Sequence, residues 1–85
     1  MYTLIVRTGC HLCDQAEESL RQLEAELKIS WRARNIDSDP SLAQYSDDLP
    51  VLLKEDRVVA RLTSSKAALE KAVKPTLWQR IKDSL

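Results

Sequence analysis

Two cysteines separated by two residues, Cys10 and Cys13, stand where the chain changes its period of hydrophobicity. Before them, Leu4-Ile5-Val6 is a short apolar run ending at Thr8-Gly9, and it reads as a strand buried on both faces. After them, from His11 to Lys28, Leu12, Ala16, Leu20, Leu23 and Leu27 recur at steps of three or four, which predicts an amphipathic helix with one buried stripe. A dithiol at a strand-to-helix turn therefore organises the first third of the chain. The rest has to complete a sheet around that first strand.

Trp31 to Ile36 reads as a second strand, with Arg32 and Arg34 alternating against Trp31 and Ala33. Two arginines facing one way suit an edge strand, and an anion site is the alternative reading. Asp39-Pro40 marks the start of a short helix running to about Tyr45, with an acidic cap and proline at the first position. Leu49-Pro50-Val51-Leu52-Leu53 opens a third strand and Arg57 to Leu62 a fourth, joined around Glu55-Asp56 by a turn without glycine or asparagine. Thr63-Ser64-Ser65 offers caps for a helix carrying Ala68, Leu69, Ala72 and Val73. Pro75 should interrupt that helix, and Leu77, Trp78, Ile81 and Leu85 continue an apolar stripe beyond it.

The expected fold is thus α/β, with the order β-α-β-α-β-β-α and a helical extension over 75–85. A strand, a crossover helix and a second strand imply a parallel pair, and the later hairpin adds antiparallel strands. A mixed four-stranded sheet covered by helices on both faces follows. Eighty-five residues make one domain over 1–85, without repeats or linkers. Thirteen basic and thirteen acidic side chains cancel without forming a block, so neither nucleic acid nor a membrane surface is an expected partner. No run approaches the ~20 apolar residues of a bilayer span. The first residues lack a basic leader, which points to the cytoplasm. In a reducing compartment, two cysteines are better read as redox-active or metal-binding than as a permanent staple.

Disulfide exchange needs a thiolate, and a free cysteine has a pKa near ~8.5. At a helix start, Cys10 meets unpaired N–H groups and the positive end of the helix dipole, both of which favour the anion. Cys13 lies about one turn deeper. Cys10 is accordingly the attacking thiol and Cys13 the resolving one. His11 is a candidate for tuning the thiolate, since an imidazolium beside it stabilises the charge; the alternative is an exposed residue that merely occupies the turn. Arg7, at the end of the first strand, is a candidate for binding an anionic thiol substrate, or else simply reaches solvent. Pro50 is an ordinary trans proline or a cis one, and a cis turn would present the backbone of Leu49 to an extended substrate segment. Zinc wants four ligands, and two thiols with one histidine wedged between them do not close a site within one chain, so no metal site is assigned.

Arg7-Thr8-Gly9-Cys10-His11-Leu12-Cys13, followed by Leu49-Pro50-Val51, resembles the glutaredoxin branch of the thioredoxin superfamily, over roughly residues 2 to 73. It is most similar to the small bacterial glutaredoxin-like proteins with a Gly-Cys-His-Leu-Cys-Asp centre, matched here from Gly9 to Asp14. The resemblance implies a thioredoxin-like fold, Cys10 as nucleophile, Cys13 as resolving thiol and Pro50 as the cis-proline beside them. It also places Arg7 where glutaredoxins carry a basic residue near the glutathione carboxylate. The chain departs from that pattern in having His11, rather than proline, after the first cysteine. It also has Arg61-Leu62-Thr63-Ser64-Ser65-Lys66 where glutaredoxins have paired glycines and an acidic residue. Ser64 and Ser65 are left as possible holders of a carboxylate.

These readings lead to a monomeric thiol-disulfide oxidoreductase without a tightly bound cofactor, with glutathione as a candidate redox co-substrate. Its expected partners are a disulfide-containing protein or low-molecular-weight thiol, and a reductase or thiol donor. Two alternatives stand beside it: a dimer carrying metal or an iron-sulfur cluster through Cys10, and a non-enzymatic interaction module docking through Trp78.

Overall fold

The computed structural model describes residues 1–74. The readings of Pro75 as a break and of Leu77, Trp78, Ile81 and Leu85 as an apolar stripe lie outside the described residues. Strand β1 is Tyr2–Val6, helix α1 is His11–Leu27, β2 is Trp31–Asn35, β3 is Val51–Lys54 and β4 is Arg57–Arg61. The chain is helical again over 66–74, here α2. The sheet order is β2-β1-β3-β4. β1 runs parallel to β2, while β3 is antiparallel to both of its neighbours. This is the mixed four-stranded sheet expected from the element order.

Every residue of β1 is buried. Leu4 and Leu52 pair across β1 and β3, as do Ile5 and Val51, and all four are at most 1% exposed. Adjacent residues of a strand point to opposite faces, so the two central strands are covered on both sides. Leu20 and Leu23 from α1 and Leu69 and Val73 from α2 join the same core. Burying a leucine of this kind stabilises by ~1.5–3 kcal/mol. Polar ties fix the helices: Ser19 Oγ donates to the Ser64 carbonyl at 2.8 Å, and Tyr2 Oη donates to the Val73 carbonyl at 3.4 Å.

Three local expectations change. Leu12 is 46% exposed, and the α1 stripe runs through Cys13, Ala16, Ser19, Leu20 and Leu23. Position 12 and position 13 both stand within one turn of Ala16, so spacing alone does not separate them; the helix turns the smaller sulfur inward. Second, the segment Pro40–Tyr45 is a 3-10 helix rather than an α-helix, preceded by another over Ile36–Ser38. Six residues with one buried apolar anchor, Leu42, give an α-helical nucleus little to pack, and short 3-10 turns are the usual alternative. Third, β2 stops at Asn35, whose side-chain carbonyl accepts from the Asp37 N–H at 2.8 Å and turns the chain before Ile36.

The edge position of β2 is as expected, but its arginines differ. Arg32 is exposed, whereas Arg34 is ion-paired with Asp39, so the alternative of an anion site meets a carboxylate already in place. The β3–β4 turn forms without glycine because Glu55 adopts a left-handed backbone (φ 56°), and an irregularity between Leu52 and Leu53 leaves Val59 as the extra residue of β4.

Candidate active site

Strand register places the candidate residues at one end of the sheet. Asn35 pairs with Val6, Ile5 with Val51, and Val51 with Arg61. The segments that continue from this row are Ile36-Asp37 after β2, Arg7 to Cys10 after β1, Leu49-Pro50 before β3, and Leu62 after β4. Residues far apart in sequence thus share one rim.

Gly9 supplies the turn into α1 with φ 79°, a conformation that side-chain-bearing residues rarely adopt. Cys10 then caps the helix. Its Sγ accepts a hydrogen bond from the Cys13 N–H at 3.1 Å, in the manner of a serine or aspartate cap. Cys10 and Cys13 are joined as a disulfide, with Cα atoms 5.1 Å apart. Cys10 is half-buried and Cys13 is 1% exposed, so of the two residues only the first presents appreciable surface to a partner. This asymmetry follows from helix position, as the spacing predicts. His11 and Leu12, between the cysteines, are both exposed.

The Leu49–Pro50 peptide bond is cis. Pro50 is among the most buried side chains, and Leu49 is 9% exposed. The carbonyls on either side of Leu49, those of Asp48 and Pro50, both accept from the Leu62 N–H, at 3.0 and 2.9 Å. Leu62 itself has φ 53° and is 61% exposed. Cys13 and Leu49 belong to one core cluster, with Cys10 packed against it.

Arg7 is exposed, and its Nε lies 3.6 Å from Asp37 Oδ1. The other Asp37 oxygen accepts from the Thr8 N–H at 3.3 Å, and Asn35 Nδ2 donates to Thr8 Oγ1 at 2.9 Å. The loop before Cys10 is therefore clamped to the turn that follows β2. Reading the sequence alone missed Asp37 and Asn35. Their local signal is the Asn-x-Asp spacing of an Asx turn, but their partner Thr8 lies 29 and 27 residues away. Ser64 and Ser65 are also committed internally. Ser64 Oγ donates to Gln15 Oε1 at 3.2 Å, and Ser65 Oγ accepts from the Ala68 N–H at 3.2 Å as the cap of α2. Holding a carboxylate would cost those bonds.

No group of three His, Cys, Asp or Glu side chains among the described residues is placed to hold a metal. No described helix is long and apolar enough to cross a membrane.

Comparison with known proteins gives a family. Residues 2–81 match the family model described as Glutaredoxin-like domain (DUF836). Among solved structures, a structural-genomics target protein from X. campestris, XcR50, is 30% identical with a TM-score of 0.71, over 88% of this chain and 97% of that one. A malarial protein is 22% identical (TM-score 0.62, covering 87% and 92%). Thioredoxin 1 from the thermophilic eubacterium Thermosipho africanus is 14% identical (TM-score 0.63, covering 96% and 97%), a likeness of fold alone. No curated protein gives a significant sequence match.

Proposed function

The chain belongs to the glutaredoxin-like domain family and has the thioredoxin-like fold, and from that premise we propose that it is a cytoplasmic thiol-disulfide oxidoreductase working through Cys10 and Cys13. The observation that carries the reading is the Cys10 sulfur itself, which belongs to a half-buried residue, caps a helix start and is bonded to a buried partner. In the reduced protein the Cys13 N–H and the helix dipole favour the Cys10 thiolate. That thiolate attacks one sulfur of a substrate disulfide, forms a mixed disulfide and expels the other sulfur as a thiolate, which takes a proton from water. The Cys13 thiolate then attacks Cys10, restores the internal disulfide and releases the second substrate thiol. Two electrons pass to the substrate, and a reduced thiol, glutathione or a reductase must return them. His11 is assigned a tuning role beside the thiolate, and Leu49, Pro50 and Arg7 are assigned to binding the substrate.

Redox titration of the Cys10–Cys13 pair against glutathione and thioredoxin buffers tests the reading. The pair is expected to cycle between dithiol and disulfide, and Cys13→Ser is expected to accumulate a mixed disulfide visible by mass spectrometry. A pair that stays oxidised in every buffer, with no trapped species, would sink the proposal.

A further inference from the structure

We propose that Asp37 sets the substrate class of the Cys10 centre: by holding Arg7 in an ion pair it withholds that cation from anionic disulfides, and the centre is left to polypeptide disulfides with uncharged, apolar flanks. The inference rests on the redox reading above. It begins with charge. A thiolate and an anionic disulfide such as glutathione disulfide repel each other, and a nearby cation is what raises their rate of encounter. Among the described residues, three arginines near the site end of the sheet each face an aspartate. Arg7 Nε is 3.6 Å from Asp37, Arg61 Nε is 3.5 Å from Asp48, and Arg34 is paired with Asp39.

Exposed ion pairs are generally weak, partly because both side chains must be ordered to form them. Here Asp37 is ordered already. Its free carboxylate oxygen is held by the Thr8 N–H, and its backbone N–H is held by Asn35 Oδ1 at 2.8 Å. The carboxylate is tied by a hydrogen bond to the loop that leads to Cys10, so an incoming anion must compete with a held charge. Apolar surface stands at the same rim. Leu12 lies exposed between the two cysteines, and Leu62 is exposed next to the Asp48 and Pro50 carbonyls that hold its backbone. Leucines in such positions give an apolar-flanked half-cystine something to rest on, and give a charged tripeptide nothing.

The test uses the full chain, reduced beforehand and freed of reductant, so that its own dithiol supplies the two electrons. It is mixed with glutathione disulfide or with a neutral peptide disulfide flanked by leucines, and loss of protein thiols is followed. The peptide is expected to react faster by about tenfold or more at low salt. Asp37→Asn keeps an oxygen for the Thr8 N–H and is expected to narrow that ratio by about three- to fivefold. The narrowing should disappear in the Arg7→Gln/Asp37→Asn double variant and at high salt. Equal rates for the two disulfides in the wild type, or a ratio that Asp37→Asn does not move, would overturn the inference while leaving the redox reading in place. Failure to react with either disulfide would overturn both.

Discussion

The molecule uses the same kind of turn twice. After β1 and after β4 the chain passes through a left-handed residue and then a short side chain caps a helix. In the first case Gly9 takes φ 79° and Cys10 Sγ accepts the Cys13 N–H; in the second Leu62 takes φ 53° and Ser65 Oγ accepts the Ala68 N–H. Glycine adopts that backbone freely, whereas a leucine there costs about 1–2 kcal/mol. The reactive turn is relaxed and clamped by Asp37 and Asn35. The strained one carries no redox chemistry, and it leaves a large apolar side chain in solvent. What separates them is the cap atom, since sulfur can exchange electrons and a hydroxyl cannot.

The comparison is sharpened most by exchanging the caps' chemistry. Cys10→Ser keeps the cap with oxygen in place of sulfur, yet disulfide exchange is expected to fall to background in a thiol-release assay. Ser65→Ala should cost about 1 kcal/mol of stability by denaturant titration and leave exchange running. Next come the helices behind the caps. Leu20→Ala in α1 and Leu69→Ala in α2 are each expected to cost about 2–5 kcal/mol, because both side chains are fully buried. A loss at Leu69 far below that at Leu20 would break the equivalence of the two turns.

Smaller opposite effects are expected at the left-handed positions. A Cβ at Gly9 meets nothing within 4 Å, so Gly9→Ala should cost only the backbone term, about 1–2 kcal/mol. Leu62→Gly should gain up to about 1 kcal/mol and, on the inference above, slow reaction with apolar peptides. The same sign at both sites in thermal unfolding would end the contrast.

The smallest effect concerns a third cap, the carboxylate of Asp39. Its pKa is lowered chiefly by the hydrogen bond from the Ser41 hydroxyl, with burial opposing, and further by the Ser41 N–H and Arg34. A lowered pKa means that the folded state favours the ionised form. Its contribution is therefore complete above the ordinary aspartate pKa and is lost as the pH falls through the lowered value. Asp39→Asn is expected to flatten the acid limb of a stability–pH curve slightly.

The first of the two turns was legible in the sequence and the second was not, for physical reasons. Around Cys10, glycine, dithiol and the switch in hydrophobic period coincide within a few residues, so local chemistry carries the whole signal. The Pro50-Val51 opening of β3 was legible in the same way. At Leu62 nothing local marks a left-handed residue, because the conformation is imposed by hydrogen bonds to Asp48 and Pro50 across the sheet. The inward turn of Cys13 in place of Leu12 depends on helix phase, which a stripe with 3.6-residue period leaves open by one position. The clamp of Asp37 on Arg7 and Thr8 depends on strand pairing and so belongs to tertiary structure. Ser64 and Ser65 looked like ligands in the sequence for the converse reason: their hydroxyls are spent on Gln15 and on the α2 cap, and only the folded chain shows it.

The bond from the Cys13 amide to Cys10 Sγ has a consequence for how the protein can be watched. Its acceptor is an atom that carries nearly full negative charge as a thiolate and almost none in a disulfide, while the donor proton stays on the same nitrogen throughout. Oxidation therefore loosens the first ring of α1, and reduction tightens it. The nuclear resonance of that single amide, and the speed at which it trades its proton for deuterium, will register the oxidation state of the centre without any added probe.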